Sequence, residues 1–286
     1  MIVNKIEPQG YCGGVTRALK MANEAILNED LEKPIYMLGE IIHNSFVIND
    51  LENKGIITID CKNKSRLELL DSIDKGTVIF SAHGVSPLVY KKAKDKGLNI
   101  IDASCPYVLM VHKKIIEHIG KGYDIIYIGT NNHPECEGVL GISSSIHFIN
   151  NKEDLYNLNI KNDKIYATNQ TTLSMFDTLD IFNEIKQLYP FAIIDDKICN
   201  ATTERQNAMK NQPKCDLCIV VGDKKSSNTK KLVKVSQELG IKTIFCENLD
   251  SLDKSELTNV NIINISSGAS TPSYIVDNII EYLKKI

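Results

Sequence analysis

No apolar run in this sequence is long enough to cross a membrane. The longest, such as Leu217–Val221 and residues 125–128, are strand-sized, against the roughly 20 residues a spanning helix needs. The N-terminus lacks the layout of an export signal and begins with a strand-like segment over residues 1–6. Together these absences set a cytoplasmic location and no membrane partner as expectations. Charge of one sign is lacking as well. The formal net charge is −3, so no global field draws the chain to nucleic acid or anionic lipid, and any anionic ligand must be held locally. Nucleotide motifs are missing: there is no Walker A run and no GxGxxG. A compact cysteine run of the ferredoxin kind is absent too.

What is present is an alternation. The 286 residues suffice for two or three domains, and 43% hydrophobic with 24% charged content is ordinary for a soluble globular chain. Strand candidates lie at 34–38, 77–81, 123–128, 164–167, 217–221 and 260–265. Between them fall amphipathic segments at 15–28, 88–96, 107–119, 178–188, 227–238 and 272–284. This is the pattern of parallel α/β domains. Six strand ends run into short polar loops, two per third of the chain. They are Ile42-His43-Asn44, Ser81-Ala82-His83-Gly84, Asn132-His133-Pro134-Glu135, Asn169-Gln170-Thr171-Thr172, Lys225-Ser226-Ser227-Asn228 and Ser267-Gly268-Ala269-Ser270. In parallel sheets, ligands bind at the carboxyl ends of strands.

Three of the eight cysteines divide the chain into near-equal thirds. Cys12, Cys105 and Cys199 are 93 and 94 residues apart, and each follows an extended segment and opens a helical one. A thiolate is stabilised at a helix N-terminus, so three such turns suit one shared metal centre. Isolated cysteines are more often small buried apolar residues, but Gly13-Gly14 and Pro106 at these turns weigh against that here. The expected organisation is three related α/β units: 1–103 with Cys12, His43 and His83; 104–197 with Cys105, His133, Glu135 and Thr171; and 198–286 with Cys199, Ser226, Ser227, Asn228 and Ser270. Without an export signal, a disulfide framework is not expected. Cys215-x-x-Cys218 fits a zinc half-site or a redox pair, yet Cys218 opens an apolar run and no second pair follows, so it reads as core. Cys61, Cys136 and Cys246 read as structural.

His43, His83 and His133 sit at equivalent places past strands, where they can donate to phosphate oxygens. His112, His118 and His147 fall in helical or edge contexts and carry no assignment. Ser226-Ser227-Asn228 and Ser270 open predicted helices, where N-capping and anion binding are both served. Glu135, if held near a metal and a phosphate, stays protonated and serves as a general acid; alone, it reads as a solvated glutamate.

These residues carry a resemblance. The runs Gly10-Tyr11-Cys12-Gly13-Gly14-Val15, His43-Asn44, Ser81-Ala82-His83-Gly84-Val85-Ser86, Asp102-Ala103-Ser104-Cys105-Pro106, and His133-Pro134-Glu135-Cys136-Glu137-Gly138 lie in the first half. Gln170-Thr171-Thr172-Leu173-Ser174, Ile198-Cys199-Asn200-Ala201-Thr202-Thr203-Glu204-Arg205-Gln206, Ser226-Ser227-Asn228, and Gly268-Ala269-Ser270-Thr271-Pro272 follow. In this order and over the whole chain, they resemble the 4-hydroxy-3-methylbut-2-enyl diphosphate reductases, the last enzymes of the methylerythritol phosphate route to isoprenoids. The resemblance implies three α/β domains around a pseudo-threefold axis, with a 4Fe–4S cluster held by Cys12, Cys105 and Cys199 and its fourth iron open to substrate. It assigns His43, His83, His133, Thr171, Ser226, Ser227, Asn228 and Ser270 to an allylic diphosphate. Glu135 becomes the proton donor, with Thr171 and His133 sharing the catalytic role. An external electron donor such as a ferredoxin or flavodoxin is implied. Three positions depart from the family's habit: Ser104 for threonine, Asn132 for glycine, and Cys136 for an aliphatic residue. An iron–sulfur dehydratase of the quinolinate synthase kind shares the one-cysteine-per-domain logic. An electron carrier would close its cluster with a fourth cysteine, and a structural zinc site would show tighter spacing.

Overall fold

The computed structural model describes residues 1–59 and 64–286; Cys61 lies outside the described residues. In chain order the strands are β1 (Ile2–Lys5), β2 (Ile35–Leu38), β3 (Ile56–Ile59), β4 (Thr77–Phe80), β5 (Asn99–Asp102) and β6 (Asp124–Ile128). They continue as β7 (Ile146–Ile149), β8 (Ile165–Asn169), β9 (Ile193–Asp195), β10 (Leu217–Val221), β11 (Thr243–Cys246) and β12 (Ile262–Ser267). The helices are α1 (Gly13–Leu27), α2 (Ser45–Asn53), α3 (Arg66–Leu69), α4 (Pro87–Asp95) and α5 (Pro106–Gly120). After them come α6 (Pro134–Leu140), α7 (Met175–Leu188), α8 (Asn200–Lys210), α9 (Ser227–Glu238) and α10 (Ser273–Lys285).

The chain divides into two compact units, one of Met1–Val15, His43–Ser45 and Cys199–Ile286, the other of Thr16–Ile42 and Phe46–Ile198. The larger unit holds two sheets, ordered β3-β2-β4-β5 and β7-β6-β8-β9; the smaller holds one, ordered β11-β10-β12-β1. All strand pairs are parallel. The same order thus recurs three times, as the α/β pattern of the sequence requires. In each sheet the winding reverses between two neighbouring central strands: β2 and β4, β6 and β8, β10 and β12. The six polar loops follow these six strands. A reversal of this kind leaves a crevice at the strands' carboxyl ends, where ligands enter open α/β sheets.

Burial explains why the central strands are near-continuous apolar runs. In β10, Leu217, Ile219 and Val221 pack with Ile275, Val276, Ile279 and Leu283 of α10. Cys218 and Val220, on the opposite face, pack with Met209 of α8 and with Leu232 and Val235 of α9. In β6, Ile126 and Ile128 meet Ile181, Phe182 and Ile185 of α7, whereas Ile125 and Tyr127 meet Val111 and Ile115 of α5. Each such aliphatic side chain contributes about 1.5–3 kcal/mol by burial. No helix among the described residues is long and apolar enough to cross a membrane.

The N-terminal strand corrects the expected unit 1–103. β1 pairs with β12, in register from Ile2 with Ile262 to Lys5 with Ile265, so it belongs to the C-terminal sheet. The reason is a free edge. β10 takes one side of β12, and β1 satisfies the ladder groups on the other, with Asn4 Nδ2 donating to Asn264 Oδ1 at 3.0 Å. The correction regularises the repeat: each of Cys12, Cys105 and Cys199 now follows the outermost strand of a sheet, β1, β5 or β9. Ile219→Ala, at a fully buried central position, is expected to lower unfolding free energy by about 2–5 kcal/mol. Ile2→Ala, 60% exposed on the edge, is expected to change it by less than about 0.5 kcal/mol. Urea unfolding of the two variants checks the contrast.

Candidate active site

In the larger unit, Glu135 is the centre. It lies in the first turn of α6, 2% exposed. Its Oε1 accepts from Thr171 N–H at 2.8 Å and its Oε2 from Thr171 Oγ1–H at 3.0 Å. Burial pushes its carboxyl up from 4.5 to about 7, against the two Thr171 donors, which favour the charged form. The Tyr127 hydroxyl faces Glu135 and Cys136 without reaching hydrogen-bond geometry with either. His133 caps α6: its Nδ1 accepts from Glu135 N–H at 3.1 Å. The ring is therefore protonated at Nε2. His83 stands edge-on to it, ring centroids 5.6 Å apart, with its Nδ1 3.3 Å from Ser81 Oγ.

One buried arginine holds this arrangement. Arg66, 1% exposed, donates to the Gly84 and Pro134 carbonyls. It also meets Glu137 twice, through N–H to Oε1 at 2.8 Å and Nε–H to Oε2 at 3.0 Å. One guanidinium thus ties the loop after His83 to the loop after His133. Gly84 must be glycine: its φ is +75°, and a Cβ would lie 2.8 Å from Val108 Cγ1. Asn132, the departure from glycine, has φ of 59°, a left-handed conformation that asparagine tolerates. The Cys105 turn is held from both sides. Its N–H donates to Ala82 O at 2.9 Å, and Arg17 donates to Ser104 O at 2.9 Å.

The smaller unit gathers the second set. Ser226 Oγ caps α9 by accepting from Thr229 N–H; Ser227 and Asn228 are buried beside it. Ser270 Oγ donates to His43 O at 3.0 Å, and Asn44 Nδ2 donates to Ser270 O at 3.1 Å. The Cys12 N–H donates to Ala269 O at 3.0 Å. Cys12 and Cys105 are thus pinned alike, each to the alanine that precedes a loop residue of interest, Ser270 or His83. Gly268 backs directly onto Thr229: a Cβ there would lie 2.0 Å from its Oγ1. Arg205, 3% exposed, donates to Gly10 O at 2.7 Å and Ala201 O at 3.2 Å. Its Nε meets no acceptor. Burial lowers its proton affinity, and the nearby Cys12 and Cys199 sulfurs support the charge.

The cysteines separate into two groups. Cys12, Cys105 and Cys199 are half-buried thiols. Cys105 and Cys199 are the N-caps of α5 and α8, and Cys12 immediately precedes α1. Cys136, Cys218 and Cys246 are buried. Burial pushes the Cys218 thiol up to about 11 and the Cys246 thiol to about 12, and raises Cys136 too. Cys136 donates to Gln170 Oε1 at 3.4 Å, so it is an inert packed thiol. Cys215, half-buried and also raised, packs beside Cys218 in the core.

The sequence pattern of the LytB protein family matches residues 3–284. The chain belongs to the LytB family. It is 46% identical over 288 residues to 4-hydroxy-3-methylbut-2-enyl diphosphate reductase of Bacillus subtilis, covering 100% of this chain and 91% of the relative. It is 44% identical over 290 residues to the enzyme of the same name from an Exiguobacterium species, with the same coverage. The solved E-1-hydroxy-2-methyl-but-2-enyl-4-diphosphate reductase of Plasmodium falciparum matches with a TM-score of 0.91 at 37% identity, over 99% of this chain and 88% of that one. A second solved structure, of (E)-4-hydroxy-3-methyl-but-2-enyl diphosphate reductase, matches over the full length of both chains with a TM-score of 0.70 at 32% identity. This LytB member therefore has three similar α/β domains and is an oxidoreductase.

The supports of the loop residues are not apparent in the sequence. Thr202 and Arg205 lay in a quoted run without a role. Arg66 had no signal, since a polar stretch surrounds it. The buried acid has a consequence for stability. Its folded pKa lies above the unfolded value, so the folded state holds the extra proton between pH 4.5 and about 7. The resulting stabilisation is full below pH 4.5 and is lost as pH rises through 7, a change of about 3 kcal/mol. Unfolding free energy measured against pH is expected to show this fall in the native chain and to lose it in Glu135→Gln.

Proposed function

We propose that this LytB member reduces (E)-4-hydroxy-3-methylbut-2-enyl diphosphate. The allylic C–O bond breaks, two electrons and two protons are taken up, and the products are water and isopentenyl or dimethylallyl diphosphate. The electrons come from an external carrier of the ferredoxin or flavodoxin class. The observation that carries this reading is the buried Glu135, held by Thr171 and poised near neutrality, in a chain whose close relatives bear the reductase's name.

Cys12, Cys105 and Cys199 are the residues that would hold a 4Fe–4S cluster at three irons. The donor set fits. Each is a half-buried thiol at a helix start, thiolates are the ligands such clusters require, and the buried Arg205, with an orphaned Nε beside two of them, suits a negatively charged neighbour. When bound, such a cluster supplies single electrons and an iron with Lewis acidity toward the substrate's hydroxyl oxygen.

The remaining chemistry belongs to the chain. Hydroxide is a poor leaving group, and Glu135, protonated near pH 7, delivers the proton that turns it into water. Thr171 fixes both carboxyl oxygens. His133, with Nδ1 engaged by the helix start, presents its Nε2–H as a donor; His83 and His43 join it on the diphosphate. Ser226, Ser227, Asn228 and Ser270 add hydroxyl, amide and helix N-terminal donors. These groups hold the diphosphate with little permanent positive charge and so position the reacting carbon. Glu135→Gln is expected to cut turnover with reduced methyl viologen by about 10²–10⁴-fold at unchanged iron content. Undiminished turnover would reject Glu135 as the acid.

A further inference from the structure

Thr202 is the third residue of α8, one turn beyond Cys199 and 1% exposed. Its N–H donates to Cys199 O at 2.9 Å. Its Oγ1 accepts from the Cys199 thiol at 3.2 Å and from Asn228 Nδ2 at 3.2 Å. The Asn228 amide is oriented by a further bond, because its Oδ1 accepts from Ala269 N–H at 3.1 Å. Asn228 can therefore only donate toward Thr202. A hydroxyl has one proton to give; a Cys199 thiolate can only accept, and with Asn228 already donating to Oγ1 the Thr202 proton turns to the sulfur. Once Cys199 is a thiolate, the contact is an O–H···S hydrogen bond of fixed direction.

We propose that Thr202 is a positioning residue that raises the reduction potential of the centre Cys199 helps to hold. This rests on the reading of Cys199 as a ligand. Hydrogen bonds to ligand sulfur stabilise the added negative charge of the reduced state, and groups that support ligands in this way tune potential and activity. The chain Ala269–Asn228–Thr202–Cys199 makes the donor directional, whereas a lone hydroxyl would rotate.

The test is a potentiometric titration of the anaerobic holoenzyme, followed by electron paramagnetic resonance, on the native chain, Thr202→Val and Thr202→Ser. Thr202→Val keeps the shape and loses the donor; it is expected to bind the native amount of iron, titrate at a more negative potential, and turn over about tenfold more slowly at unchanged KM. Thr202→Ser is expected to restore the native potential. A native potential in iron-loaded Thr202→Val would overturn the proposal, as would a Thr202→Val protein that takes up no iron, which would make the hydroxyl a structural support. A native chain without a cluster signal would instead bring down the ligand reading itself, and this proposal with it.

Discussion

Everything in this protein hangs on one constraint, the order in which parallel strands are laid into each sheet. A chain that starts at a central strand, adds one neighbour outward and then returns to the other side must reverse its winding between two central strands. There the loops leaving the carboxyl ends diverge and expose backbone donors and polar side chains. Three sheets of one order give six such loops. The central strands are packed on both faces, as β10 is against α8, α9 and α10, so the loops spring from rigid supports. The outermost strand then delivers a cysteine to the same end of the sheet. The shared pinning of Cys12 to Ala269 and of Cys105 to Ala82 is the local expression of that geometry.

Burial does the second part of the work, and it acts in opposite senses on different groups. It keeps a proton on Glu135 at a pH where an exposed glutamate would have lost it. It suppresses the reactivity of Cys136, Cys218 and Cys246 by the same desolvation. The thiols at the helix starts are only half-buried. The two buried guanidiniums serve different ends. Arg66 is tied to a carboxylate and two carbonyls and staples two loops, whereas Arg205 keeps an unmatched donor near two cysteines.

Much of this was legible in the residues. The central strands read as apolar runs because both faces are covered, and the helices read from their periodicity. The strands β3, β7 and β11 did not, because each lies at a sheet edge and is partly exposed, which dilutes the apolar signal. The membership of β1 in the last sheet was illegible for a different reason: pairing partners 260 residues apart leave no local trace. Glu135 read as part of a strand-end loop, whereas it lies in the first turn of α6, and the burial that sets the acid's proton affinity depends on tertiary packing. Thr202 illustrates the limit best. It reads as an ordinary third helical residue, and only the fold brings Asn228 to its hydroxyl.

The central claim is that the three helix-start cysteines, and not the packed ones, hold an iron–sulfur centre. Iron content and visible absorbance of anaerobically purified Cys105→Ser and Cys215→Ser test it most directly. The account predicts a bleached, iron-poor Cys105→Ser protein and a brown Cys215→Ser protein with native iron. Bleaching by Cys215→Ser, with Cys105→Ser still brown, would contradict it.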